Sequence, residues 1–99
     1  MSLKLNKHDR YVTKLVNKIK TEYDDISTHQ KFLRKKRTIA EVDIIAKRGK
    51  KTHLFEVKCS YRIVKAKRQL NKLRKLCGGD RNISLFFYCG MGDRLIEIA

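Results

Sequence analysis

Residues 40–58, AEVDIIAKRGKKTHLFEVK, decide how the rest of the chain is arranged. The apolar run EVDIIA has the character of a buried strand, from Ile39 to Ala46. Lys47-Arg48-Gly49-Lys50-Lys51 is a basic turn in which Gly49 takes the tight position. Thr52 to Lys58 is the next strand, with Leu54, Phe55 and Val57 as its apolar members. Side chains alternate faces along a strand, so Glu56 and Lys58 share one face and Val57 takes the other. A hairpin can bring Asp43 to the Glu56–Lys58 patch. Two carboxylates and one lysine then share a small site, which is enough to hold a divalent metal and position a water. A charged Asp inside EVDII is hard to explain as packing, because a buried unpaired carboxylate is costly.

Outward from this hairpin the chain is regular. Before it, Leu5, Tyr11 or Val12, Leu15 or Val16, and Ile19 recur at helical spacing, which predicts a helix from Asn6 to Tyr23. Asn6 is a suitable N-cap, Asp9 falls in the first turn, and Asp24-Asp25 ends the helix. A weakly patterned strand follows from Ser27 to Arg37. After the hairpin, Cys59 to Arg62 is a connection. Ile63, Ala66, Leu70, Leu73 and Cys77 then form one apolar stripe, predicting a helix over Ile63–Leu76. Gly78-Gly79 is its stop. ISLFFYC, Ile83–Cys89, is apolar enough for a central strand, and Arg94–Ala99 makes a last one. The predicted order is α-β-β-β-α-β-β. The second helix is a crossover, so the strands on either side of it are expected to be parallel in a mixed sheet with helices on its faces.

A chain of 99 residues is expected to form one domain. Its 41% hydrophobic content excludes a disordered polybasic tail. The 25 Lys and Arg outnumber the 10 Asp and Glu, for a net charge of +15. That field favours a polyanion, nucleic acid first. No apolar run is long enough to span a bilayer, and MSLKLNKHDR lacks the apolar core of a secretion signal. Cys59, Cys77 and Cys89 are few, odd in number and widely spaced, which argues against a disulfide framework and against a zinc site. The expectation is an intracellular, cytoplasmic protein of prokaryotic or viral origin, with no membrane partner.

AEVDIIA, a gap, then FEVK, followed by a basic helix carrying Gln69, resembles the PD-(D/E)XK nuclease superfamily. Within it, the pattern looks most like the small archaeal Holliday-junction resolvases and related RecB-like nucleases. The resemblance covers roughly Asn6 to Cys89. It implies a restriction-endonuclease-like αβββαβ core, Mg²⁺ or Mn²⁺ as cofactor, and metal-dependent cleavage of DNA, branched DNA included. It implies that Asp43 and Glu56 bind the metal, that the carbonyl of Val57 completes its shell, and that Lys58 orients the attacking water. It also implies a first-helix acid, for which Asp9 is the better match and Glu22 the poorer. Gln69 resembles a glutamine that some members carry on the second helix, although Leu73 stands where an aromatic often follows. Val42 replaces the proline of the family's name, and Ala40 a glycine common in the RecB-like version; neither change removes a catalytic group. The chemistry is apt, since oxygen ligands suit Mg²⁺ and a bound metal lowers the pKa of water and clamps a phosphate.

Plainer roles exist for each residue. Glu56 and Lys58 can be an ion pair on a wet sheet face. Asp9 can serve only the helix dipole, Gln69 can face solvent, and Tyr61 can be packing. His8, His29 and His53 show no partner pattern and are expected at surface or strand-edge positions. Three basic runs flank the proposed site in sequence: Arg34, Lys35, Lys36 and Arg37; Lys47, Arg48, Lys50 and Lys51; and Arg62, Lys65, Arg68 and Lys72. Together they suggest a phosphate-binding surface. No base-reading motif accompanies them, so recognition by backbone and shape is expected. A homodimer, with the apolar final strands as candidate interface, would place two sites on one substrate. The rivals are a non-catalytic nucleic-acid-binding protein, a small ribosomal or RNA-associated protein, and a nuclease of linear DNA or RNA.

Overall fold

The computed structural model describes residues 6–78 and 81–98, so the expectations for Leu5, Gly79 and Ala99 lie outside the described residues. Helix α1 spans Lys7–Ile19 and continues as a single 3-10 turn, Lys20–Glu22. Strands β1 (Asp25–Arg34), β2 (Arg37–Arg48) and β3 (Lys51–Lys58) follow, then α2 (Ile63–Leu76), β4 (Ile83–Cys89) and β5 (Arg94–Ile98). The chain is of the α/β class. Its five strands form one mixed sheet in the order β1-β2-β3-β4-β5. Only β3 and β4 run parallel, and α2 is the crossover between them, as the sequence predicted.

The two helices cover the sheet through separate apolar clusters. Val12, Leu15 and Ile19 of α1 pack with Ile44, Ala46, Phe55, Val57 and Tyr88. Ala66, Leu70 and Leu73 of α2 pack with Val42, Leu54, Leu85, Phe87, Cys89 and Ile98. Each stripe is the one its 3.6-residue period marks. One place breaks the alternation of faces. Val42 joins the α2 cluster and Ile44 the α1 cluster, although they are two residues apart, and Asp43 lies between them. Opposite Asp43 in the register stands His29, whose φ of 53° marks a local irregularity in β1.

Several boundaries differ from expectation for local reasons. α1 tightens to 3-10 geometry after Ile19, and Asp24 does not merely end it: its carboxylate accepts from the Gly49 amide at 2.8 Å, tying α1 to the β2–β3 turn. β1 begins earlier and stops at Arg34, because Lys35 and Lys36 take left-handed φ values of 50° and 65° and form a two-residue hairpin turn. The β2–β3 turn narrows to Gly49 and Lys50, with Gly49 at φ 58°, the conformation that glycine adopts without strain. Cys59, Cys77 and Cys89 are not joined in disulfides.

The β4–β5 turn is tied to the exit of β3, where Gly90 N–H donates to the Lys58 carbonyl at 2.8 Å and Met91 N–H to that of Cys59 at 2.9 Å. A Cβ on Gly90 would land on the ring of Tyr11. The ring must then move, and overpacking of this kind costs about 1–3 kcal/mol. Gly90→Ala is therefore expected to lower Tm by about 5–15 °C in a thermal melt. Pairing it with Tyr11→Ala relieves the overlap, so the double variant should lose less than the two single losses added together.

Candidate active site

Strands β2 and β3 pair from the turn only as far as Ile44 and Phe55. Beyond that rung β2 continues against β1 alone. Continuing the register would set Asp43 opposite Glu56, so both acids stand where the two strands part. The parting frees the Val57 amide from the β2 ladder, and a buried N–H needs an acceptor. Asp43 supplies it: its Oδ2 accepts from Val57 N–H at 2.8 Å. This is why an Asp can lie 7% exposed inside an apolar run.

Glu56 is more deeply buried, at 4% exposure. Its Oε1 lies 3.4 Å from Lys58 Nζ, while its Oε2 is buried with no hydrogen-bond partner. Burial, together with the nearby and hydrogen-bonded Asp43, pushes the Glu56 carboxyl up to about 8, against the opposing pull of Lys58. The pair is thus no wet-surface salt bridge, since one partner is enclosed beside a second acid. The three residues expected from the hairpin do come together.

The first helix reaches the site through a different residue from the one expected. Asn6 Oδ1 accepts from Asp9 N–H at 2.8 Å and fixes the first turn. That turn aims His8 at the sheet. His8 Nε2 donates to the Val57 carbonyl at 3.0 Å and lies 3.3 Å from Asp43 Oδ2. His8 is therefore half-buried and bonded to the sheet rather than without a partner. Its N–H sits between two oxygens expected to face a metal, and supplies the positive end there.

Asp9 stands one layer out, with Oδ1 3.8 Å from His8 Nδ1 and 3.6 Å from His29 Nε2. His29 Nδ1 is in turn 3.7 Å from Glu41 Oε1. A chain of alternating acids and imidazoles thus runs outward from Asp43. Glu22, in the 3-10 turn, lies beyond the far end of α1. Gln69 does not face solvent as a plain surface residue would. It is half-buried, its Oε1 is enclosed without a partner, and it shares a recess with Ile39, Ala40, Glu41, Lys72 and Leu73. His53 is likewise half-buried, bonded to Tyr23 Oη at 2.6 Å and packed on Phe86, with burial pulling its pKa down. Tyr61 is exposed and sets its ring edge-on to Phe87.

All twelve basic residues proposed for phosphate binding are exposed. They do not all surround the site. Lys47, Arg48, Lys50 and Lys51 flank the turn at the start of β3, about 17 Å from Glu56 at the usual strand rise. Arg34–Arg37 lie past the site in the other direction, at the tip of the β1–β2 hairpin. Arg62 precedes α2, and Lys65, Arg68 and Lys72 stand on it. Lys72 Nζ also donates to the Ile39 carbonyl at 2.7 Å.

Sequence reasoning missed His8. A single histidine two positions after an N-cap carries no periodic signal, and its role depends on a strand 35 residues away. Among the described residues, no three His, Cys, Asp or Glu side chains are grouped closely enough to hold a metal ion by themselves. No helix among them is long and apolar enough to cross a membrane. A comparison with protein-family models finds no match, and none emerges among curated proteins or solved structures.

Proposed function

We propose that the chain is a divalent-metal-dependent nuclease that hydrolyses phosphodiester bonds in DNA, with branched DNA as the favoured substrate. One observation carries the reading. Glu56 is a buried acid with an unpartnered oxygen, held beside a second buried acid and a lysine at the carboxyl end of β3. Two enclosed acids raise each other's energy, here more than Lys58 offsets, and perturbed acids of this kind cluster at functional sites. Carboxyl ends of parallel strands are also where open α/β sheets place their ligands.

The donors fit Mg²⁺ or Mn²⁺. Asp43, Glu56 and the Val57 carbonyl offer oxygen, which both ions prefer. The His8 N–H already shows that Asp43 Oδ2 and the Val57 carbonyl share one electropositive partner. When bound, the metal would lower the pKa of a water and neutralise charge on the phosphate. Lys58 orients that water and offsets charge developing at phosphorus, while Val57 N–H holds Asp43 in place. Asp9, beside His8, and Gln69, in the recess with Glu41 and Lys72, act by positioning.

The order α-β-β-β-α-β, with β3 and β4 parallel, also suits a restriction-endonuclease-like core and the PD-(D/E)XK superfamily. Fold analogy alone assigns no activity, so the weight rests on the site. The net charge of +15 and the exposed basic runs suit a polyanionic substrate. If six phosphates are neutralised, log K falls against log salt with a slope of about −5. Exposed Met91 and Leu95 beside the last strand suit a homodimer with two sites on one junction. A second reading, nucleic-acid binding without cleavage, is favoured by the lack of a ready three-side-chain metal group among the described residues.

The test is a panel of four-way junction, flap, linear duplex, single-stranded DNA and RNA, each with Mg²⁺, Mn²⁺ or EDTA. Cutting is expected on DNA with metal and is expected to stop in EDTA. Lys58→Ala should bind junction DNA nearly as wild type does and cut it at least about 100-fold more slowly. Binding with no cutting under any metal would favour the second reading.

A further inference from the structure

The β1–β2 hairpin runs past the rest of the sheet. After the Ile44–Phe55 rung, Arg37–Asp43 are paired to β1 alone. The root of this arm is anchored: Phe32 and Ala40 pack on the α2-side core, and Lys72 holds the Ile39 carbonyl at 2.7 Å. A register shift between Phe32 and Leu33 separates root from tip. From Leu33 to Thr38 every residue is exposed, Leu33 at 64%.

The tip is built against its own stability in three ways. Its two-residue turn needs positive φ at both positions, which Asn-Gly adopts easily, yet lysines hold them at 50° and 65°. Arg34 and Arg37 face each other directly across the strands, and like charges so placed repel. Among the described residues, no acid lies within ion-pair distance of Arg34, Lys35, Lys36 or Arg37. Folding gains nothing from four adjoining cations on a strained turn. Strain retained on a surface tip points to a partner that relieves it.

Resting on the nuclease reading, we propose that this arm is a phosphate-gripping finger that seats in the major groove of duplex DNA at a fixed distance from the site. A two-stranded ribbon is the width that groove admits. The tip presents four adjoining cations, the side chains that grip the phosphates lining the groove walls. Lys36, in the turn that leads into β2, lies 7 residues before Asp43. At about 3.3 Å per residue that is about 23 Å, or about 7 base pairs at 3.4 Å each. The anchored root makes the distance constant.

Lys35→Asn with Lys36→Gly tests this, because it installs the preferred turn while removing two charges. Tm is expected to rise by about 5 °C. Binding to duplex DNA, measured in EDTA so that cutting plays no part, should weaken about tenfold near 0.1 M salt, and the salt slope should shrink by about 2. The hydroxyl-radical footprint should shorten at one end. Arg34→Gln with Arg37→Gln, which leaves the turn residues alone, should shrink the slope similarly. Duplex RNA, whose major groove is too narrow for a ribbon, should show no such change. Unchanged affinity and slope on duplex DNA would overturn the proposal, as would equal losses on single-stranded DNA or duplex RNA. Failure of the nuclease reading shows separately, as an absence of cutting in a protein whose arm still binds.

Discussion

Asp43→Asn is expected to lower metal-dependent cutting of DNA by at least about 1000-fold while leaving DNA binding intact. Asparagine has nearly the shape of aspartate, and its carbonyl oxygen can still accept from Val57 N–H, the bond that holds β2 and β3 together where they part. The fold should therefore survive, with Tm close to wild type. What disappears is a negative charge at the point where Asp43, Glu56 and the Val57 carbonyl meet. A metal there supplies several kcal/mol of transition-state stabilisation, and about 4 kcal/mol corresponds to three orders of magnitude in rate. Binding is dominated by exposed cations and should hold or tighten slightly, because the variant is one charge more positive. His8→Gln provides a contrast. It keeps a donor for the Val57 carbonyl but removes an imidazole, and is expected to slow cutting less than Asp43→Asn does. Equal cutting by wild type and Asp43→Asn would sink the proposed site.

Much of the scaffold was legible because its elements obey short-range rules. The stripe Ile63, Ala66, Leu70, Leu73 marked α2 at both ends, and the unbroken run ISLFFYC marked β4. Asp43 stood out by contradiction, as an acid in a position that packing alone would give to an apolar residue, and Glu56 by sharing a strand face with Lys58. The failures have one cause in common. Lys35 and Lys36 occupy a turn without its usual residues, so β1 was extended through it. His8 acquires its role from the Asn6 cap, the course of α1 over the sheet and the parting of β2 from β3, none of which is encoded near residue 8. The basic runs suggest one phosphate-binding surface because they flank the site in sequence. The sheet then places two of them at opposite ends, since β2 and β3 carry their shared turn away from the site and the β1–β2 turn extends beyond it.

Glu56→Gln is expected to stabilise the metal-free protein, increasingly so as pH rises. The sign follows from the direction of the shift. Glu56 is raised to about 8 by burial and by Asp43, against an ordinary value near 4.5. Between those two values the folded chain keeps a proton that the unfolded chain has released, so stability falls as pH climbs through this window. Below about 4.5 both states are protonated and the penalty is absent; above about 8 it is fully present. Gln carries no charge, so the penalty does not arise in the variant. At pH 7 the difference should be about 2–3 kcal/mol, of the order of the proton term itself, since folded Glu56 is then mostly protonated and neutral like Gln. That corresponds to a Tm higher by about 8–20 °C. A divalent ion should reverse the ranking. Mg²⁺ or Mn²⁺ binds the wild-type folded state and raises its Tm with concentration, whereas Glu56→Gln should respond weakly. Thermal melts of both proteins from pH 5 to 9, in EDTA and in millimolar Mn²⁺, read both effects at once. A variant no more stable than wild type at pH 8 in EDTA would show that Glu56 is not held as a strained acid. A wild-type Tm indifferent to both metals would show that the strain does not serve a cation.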